Sequence, residues 1–101
     1  MKMEEIKKPE VQIEIDDLTA QGAYSNLAMI AHSDSEFILD FIFVQPQAAR
    51  AKVRARVLTS PAHAKRLLAA LKDNISKYEA KFGEIKAGIQ TEQDKKIGFY
   101  H

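Results

Sequence analysis

The strongest constraint on the fold of this chain is a segment that is apolar on both of its faces. Residues 36–44, EFILDFIFV, are rich in aromatic and β-branched side chains and are typical of a β-strand. One face carries Phe37, Leu39, Phe41 and Phe43, and the other carries Ile38, Asp40, Ile42 and Val44. A single helix covers only one side of a sheet, so the second face needs another cover. Each such side chain left in water forfeits about 1.5–3 kcal/mol.

A second copy of the chain is the cover that the sequence favours. We expect a homodimer or a higher symmetric oligomer, made by packing sheets or joining their edges, with an interface of Leu27, Met29, Ile38, Ile42 and Val44. Two alternatives stay open: a monomer with a folded tail, and a slip in the assignment of faces. Asp40 also needs a partner in this apolar row, and Arg54 or Arg56 on the next strand is placed to lie opposite it.

Alternating apolar and polar residues predict further strands around this segment. The four predicted strands lie at residues 11–16, 23–32, 36–44 and 51–58. Short links between the last three favour an antiparallel meander, since parallel neighbours need long crossovers. A long helix follows, because Ser60 is a good N-cap, Pro61 suits the first helical position and Gly83 is placed to end it. The predicted fold is therefore α+β, of order ββββα, with a helix long enough to cross the sheet.

The chain of 101 residues is long enough for one domain only. Residues 1–9 are charged and end in Pro9, and we expect them to form a flexible arm. The single domain spans residues 10–83. Residues 84–101 are mixed in character, and we expect a tail that is either flexible or docked on a partner through Phe99 and Tyr100.

Several classes of function are disfavoured by what the sequence lacks. It has no cysteine, which excludes a disulfide framework, a thiolate metal site and a cysteine nucleophile. His32, His63 and His101 lack metal-motif spacing, and the serines and glycines form neither a nucleophile elbow nor a phosphate loop. We therefore expect no cofactor, no metal and no enzymatic activity. Without a membrane-length apolar run or a signal-like start, a soluble cytoplasmic protein is expected.

Charge is unevenly distributed along the chain, although the net charge is only +1. Residues 1–49 carry three Lys and nine Asp or Glu, which gives −6, whereas residues 50–81 carry nine Lys or Arg and two acids, which gives +7. The two blocks either pair with each other, within a chain or across an oligomer, or the basic block faces an anionic partner such as nucleic acid. The candidate binding residues are Arg50, Lys52, Arg54, Arg56, Lys65 and Arg66.

Three sequence blocks carry a resemblance to a known family. The blocks YSNLA, EFILDF and PAHAKRLL stand in this order within residues 11–83. In this region the chain resembles the domain of unknown function 3467 family. The resemblance implies no reaction and no catalytic residues. It does imply a link with transcription or nucleic acid, because genes of such proteins often neighbour those of the large RNA polymerase subunits in some bacteria.

Two hypotheses on function follow. The first is a non-enzymatic oligomeric binding protein, associated with transcription or nucleic acid through its basic strand and helix start. The second is a protein-interaction subunit or chaperone-like adaptor that uses the apolar sheet face. In both, the first partner of the chain is another copy of itself, and no membrane is involved.

Overall fold

The computed structural model describes residues 10–88 and contains a small antiparallel sheet and two helices. The elements, in chain order, are α1 (Asp17–Ala20), β1 (Leu27–His32), β2 (Phe37–Gln45), β3 (Arg50–Thr59) and α2 (Pro61–Phe82). Both strand pairs are antiparallel, and the sheet has the order β1-β2-β3. The chain therefore has an α+β fold in which a three-stranded meander precedes one long helix.

The predicted strand at residues 11–16 is wrong. This segment belongs to no strand, and Val11, Ile13 and Ile15 are 84%, 92% and 66% exposed. It runs into the N-cap of α1, where the Asp16 carboxylate accepts a hydrogen bond of 2.7 Å from the Thr19 backbone N–H. An alternating segment forms a strand only where the edge of another strand supplies hydrogen-bond partners for its backbone. Within residues 10–88 no strand pairs with this segment.

The side chain of Asn26 explains why β1 begins at Leu27 and not at residue 23, as the alternation predicts. Its carboxamide accepts from the Val44 N–H at 2.8 Å and donates to the Val44 carbonyl at 3.1 Å. These two bonds occupy both backbone groups of Val44, which another residue of β1 would otherwise pair with. The link between β1 and β2 is a tight turn, in which the Ser33 hydroxyl accepts from the N–H groups of Ser35 and Glu36.

The helix prediction is confirmed at both ends. The Ser60 hydroxyl accepts a hydrogen bond of 3.1 Å from the His63 N–H, and Pro61 opens the helix. At the other end Gly83 has a φ of 101°, in the region that favours glycine, and its N–H donates to the Glu79 carbonyl. The expectation that this helix covers the sheet is wrong, because α2 has no buried residue.

Burial in the described chain is concentrated on β2. Leu39, Asp40 and Ile42 are the buried residues of this region, and they are 7%, 1% and 0% exposed. Leu39 lies on one face of the sheet, whereas Asp40 and Ile42 lie on the other, because successive side chains of a strand alternate. The central strand therefore contributes buried side chains to both faces, as its composition predicts.

The predicted arm and most of the predicted tail lie outside the described residues. Residues 83–88, which follow α2, form neither helix nor strand. Phe99, Tyr100 and His101 belong to the part of the chain that is not described. Between residues 10 and 88, no helix has the length and apolar character that crossing a membrane requires.

Candidate functional site

Asp40 and Arg56 form an ion pair in the middle of the sheet. They are direct partners in the β2–β3 register. The Arg56 Nε donates to Asp40 Oδ1 at 2.7 Å, and its Nη2 donates to Oδ2 at 2.8 Å, so the guanidinium holds both carboxylate oxygens. This hydrogen bonding lowers the pKa of Asp40 below its ordinary value of 3.8. The predicted partner of Asp40 is confirmed as Arg56, which therefore has a structural role.

A β-bulge divides the predicted basic row of β3. Phe41 pairs with Ala55 but Ile42 pairs with Val53, so Arg54 is an extra residue between them. Beyond the bulge, Lys52 lies opposite Phe43. Residues directly opposite each other share a face, and positions 40 and 43 of a strand face opposite ways. Lys52 and Arg50 therefore lie on the other face from Arg56.

The remaining basic candidates are exposed along β3 and at the start of α2. Within residues 10–88 none of them makes an ion pair, whereas Lys77 pairs with Asp73 at 3.1 Å. At about 3.3 Å per residue, β3 separates its first residue from the helix start by roughly 30 Å. These cations are therefore spread along β3 and the start of α2 and do not form one cluster. We call them the five cations: Arg50, Lys52, Arg54, Lys65 and Arg66.

The predicted interface residues are brought together on one face of the sheet. Leu27 lies opposite Ile42, and Ile38, Ile42 and Val44 follow one face of β2. Ile42 is fully buried, and the other four members of the set, including Met29, are half-buried. Asp40 interrupts this row with its ion pair. The sheet face therefore offers less free apolar surface to a partner than the sequence predicts.

A row of exposed apolar side chains runs along α2. We call this row the α2 stripe: Leu67, Leu68, Leu71, Ile75, Tyr78 and Phe82, which are 38%, 66%, 56%, 40%, 51% and 65% exposed. Tyr78 and Phe82 contact each other, with ring centroids 4.9 Å apart. The helical spacing of these residues is visible in the sequence. The same spacing is typical of a helix that packs on a sheet, so the sequence alone does not predict that this row is exposed.

The described histidines are engaged locally. His32 stacks on Phe37 with ring centroids 5.2 Å apart, and the backbone N–H of His63 donates to the Ser60 cap. Within residues 10–88 no group of three or more His, Asp or Glu side chains is placed to hold a metal ion.

The fold and these surfaces define a class: a small α+β protein with a basic edge strand and an amphipathic helix whose apolar side is exposed within residues 10–88. The chain belongs to the family described as protein of unknown function DUF3467, whose match spans residues 1–87. This confirms the resemblance seen in the sequence. No curated protein and no solved structure matches the chain.

Proposed function

We propose that this protein is a non-enzymatic binding protein that functions as a homo-oligomer joined through the α2 stripe. The observation that carries the proposal is a 22-residue helix that is apolar along one side and has no buried residue. A helix of this kind normally owes its stability to packing of its apolar face. A second copy supplies an identical stripe, and pairing the two around a two-fold axis buries the apolar side of both helices.

The size of the stripe is sufficient for association. Its six side chains together expose about three complete side chains, which corresponds to about 5–9 kcal/mol per copy if fully buried. Two copies contribute about twice that amount. Loss of translational and rotational freedom costs about 4–15 kcal/mol. The gain is therefore of the right size for a complex that forms at micromolar concentration.

The experiment is sedimentation equilibrium of the wild-type chain and two helix variants. Leu71→Asp places a carboxylate within the stripe, whereas Ala69→Asp places the same group on the opposite side of α2. We expect the wild type and Ala69→Asp to sediment alike, as dimers or larger species, and Leu71→Asp to sediment as a smaller species than the wild type. A monomeric wild type, or a Leu71→Asp variant that associates like the wild type, would overturn the proposal.

Nucleic-acid binding is the second candidate function, and the five cations favour it. They are exposed and have no acidic partner among residues 10–88, whereas the buried acid Asp40 is held by Arg56. Within residues 10–88, pairing between the acidic and basic blocks therefore does not engage the five cations, which are available to an anionic partner. If all five contacted phosphates of a single strand, log affinity would fall against log salt with a slope of about −3.5.

Fluorescence anisotropy with labelled single- and double-stranded oligonucleotides at two salt concentrations tests this candidate. We expect Lys52→Glu and Arg54→Glu to weaken binding and to reduce its salt dependence. Lys77→Glu is the matched control, because Lys77 already pairs with Asp73 on α2. Binding that is unchanged by the two β3 reversals would count against this candidate. Association with the transcription machinery belongs to the same candidate and predicts that RNA polymerase subunits co-purify with the tagged protein.

A further inference from the structure

Residues 10–16 have the pattern of a strand and are left without a sheet. Val11, Ile13 and Ile15 alternate with Gln12, Glu14 and Asp16. The three apolar side chains are among the most exposed of the described chain. Alternation of this kind is typical of a strand with one buried face. The segment therefore has the side chains of an edge strand but pairs with no strand among residues 10–88.

The outer edge of β3 is a complementary surface. In the order β1-β2-β3, β3 has a neighbour on one side only within the described chain. Its first half carries Arg50, Lys52 and Arg54, which are exposed. Such an edge repels a second copy of β3 because the charges are alike. It attracts an acidic strand, and residues 10–16 carry Glu10, Glu14 and Asp16.

We propose that residues 10–16 of one copy add as a fourth strand to the outer edge of β3 in a second copy. The faces agree, because Lys52 lies on one face of β3 and Val53, 40% exposed, lies on the other. An added strand sets Glu14 beside Lys52 and Ile13 beside Val53. The other edge of the sheet is β1, residues 27–32, which contains neither Lys nor Arg and so has no such cation to pair with the acids of residues 10–16.

The arrangement of α1 favours a second copy as the owner of the strand. Asp16 ends the segment and caps α1, and the chain then leads into β1, at the opposite edge of the sheet from β3. The segment does not lie on its own β3 in the structure. A mutual exchange around a two-fold axis lets each copy supply one strand and one edge. This contact is separate from the α2 stripe and goes beyond the function proposed above.

Cysteine cross-linking tests the contact directly, because the chain has no cysteine of its own. Two differently tagged full-length proteins, Ile13→Cys and Val53→Cys, are mixed and treated with a short bis-maleimide. The matched control replaces Val53→Cys by Ile30→Cys, an exposed position on β1. We expect the 13–53 pair to cross-link between chains and the 13–30 pair to remain largely unlinked. Equal yields for the two pairs, or no 13–53 product, would overturn the proposal.

Charge reversal adds a second readout to the same experiment. Glu14→Lys, added to the Ile13→Cys protein, should slow cross-linking to Val53→Cys by about three- to tenfold. Lys52→Glu in the Val53→Cys partner should then restore the rate, since the opposite charges meet again. A cross-linking rate that Glu14→Lys does not change, or that the swapped pair does not restore, would contradict the charge pairing.

Nucleic acid is the alternative occupant of the same cations. If it binds β3 while the 13–53 yield stays at the level of the 13–30 control, the strand proposal fails.

The failures of this proposal and of the α2 proposal are distinguishable. Leu71→Asp is expected to remove the contact between helices but to leave the 13–53 cross-link in place. If the Ile13→Cys and Val53→Cys pair gives no 13–53 cross-link while the wild type sediments as an oligomer, strand exchange is rejected. The α2 stripe then remains as the interface.

Discussion

Replacing Ile42 with Ala tests the face assignment of the sheet. Ile42 is 0% exposed and lies opposite Leu27 on β1 and Val53 on β3. The substitution removes three carbons, which is about 2.4 kcal/mol of transfer free energy. The cavity that remains raises the expected loss of unfolding free energy to about 3–4 kcal/mol. In a domain of this size that loss lowers the Tm by about 12–30 °C.

The assay is urea unfolding followed by far-UV circular dichroism, at one fixed protein concentration because association affects apparent stability. Ile42→Val should cost about 0.5–1.5 kcal/mol. Ile30→Ala is the matched control, because Ile30 is 62% exposed and lies on the other face, opposite Leu39. It should cost no more than about 1 kcal/mol. Equal losses for Ile42→Ala and Ile30→Ala would refute the register and the burial derived from it.

Three further substitutions test local interactions. The lowered pKa of Asp40 means that its pair with Arg56 stabilises the fold above pH 3.8 and that this contribution is lost as the pH falls through the folded-state pKa. The gap in urea midpoint between wild type and Arg56→Met should therefore shrink on acidification, and a constant gap would contradict the linkage. Ser60→Ala should cost about 1 kcal/mol by removing the cap of α2, whereas Ser76→Ala, within the helix, should cost nothing measurable by the same unfolding assay. Asn26→Ala removes two hydrogen bonds to β2 and should cost about 1–3 kcal/mol, since each bond contributes about 0.5–1.5 kcal/mol; an unchanged urea midpoint would show that these bonds do not stabilise the sheet.

Local chemistry made a large part of the fold predictable. Ser60, Pro61 and Gly83 predict both ends of α2, because each residue satisfies a steric or hydrogen-bonding need of a helix terminus. The need of a buried carboxylate for a partner predicts the pairing of Asp40 with Arg56. These inferences depend on a few neighbouring residues, and the structure agrees with all of them.

The remaining features depend on what lies opposite each segment, and a sequence pattern does not contain that information. Residues 11–16 alternate like a strand, but alternation does not supply an edge. Because of the bulge at Arg54, the residues of β3 that precede it face the opposite side of the sheet from the one that simple alternation predicts. The sequence pattern does not reveal this bulge. The apolar spacing of the α2 stripe is the same whether the surface it faces is the sheet or another molecule, so the pattern alone does not identify that surface.

The mass of the full-length wild-type chain in solution tests the central claim most directly. Light scattering coupled to gel filtration, over a series of micromolar concentrations, measures it without any substitution. An uncovered α2 stripe predicts a mass of at least twice the 11.4 kDa of one chain at the upper end of the series. A mass of 11.4 kDa at every concentration would contradict self-association through this helix.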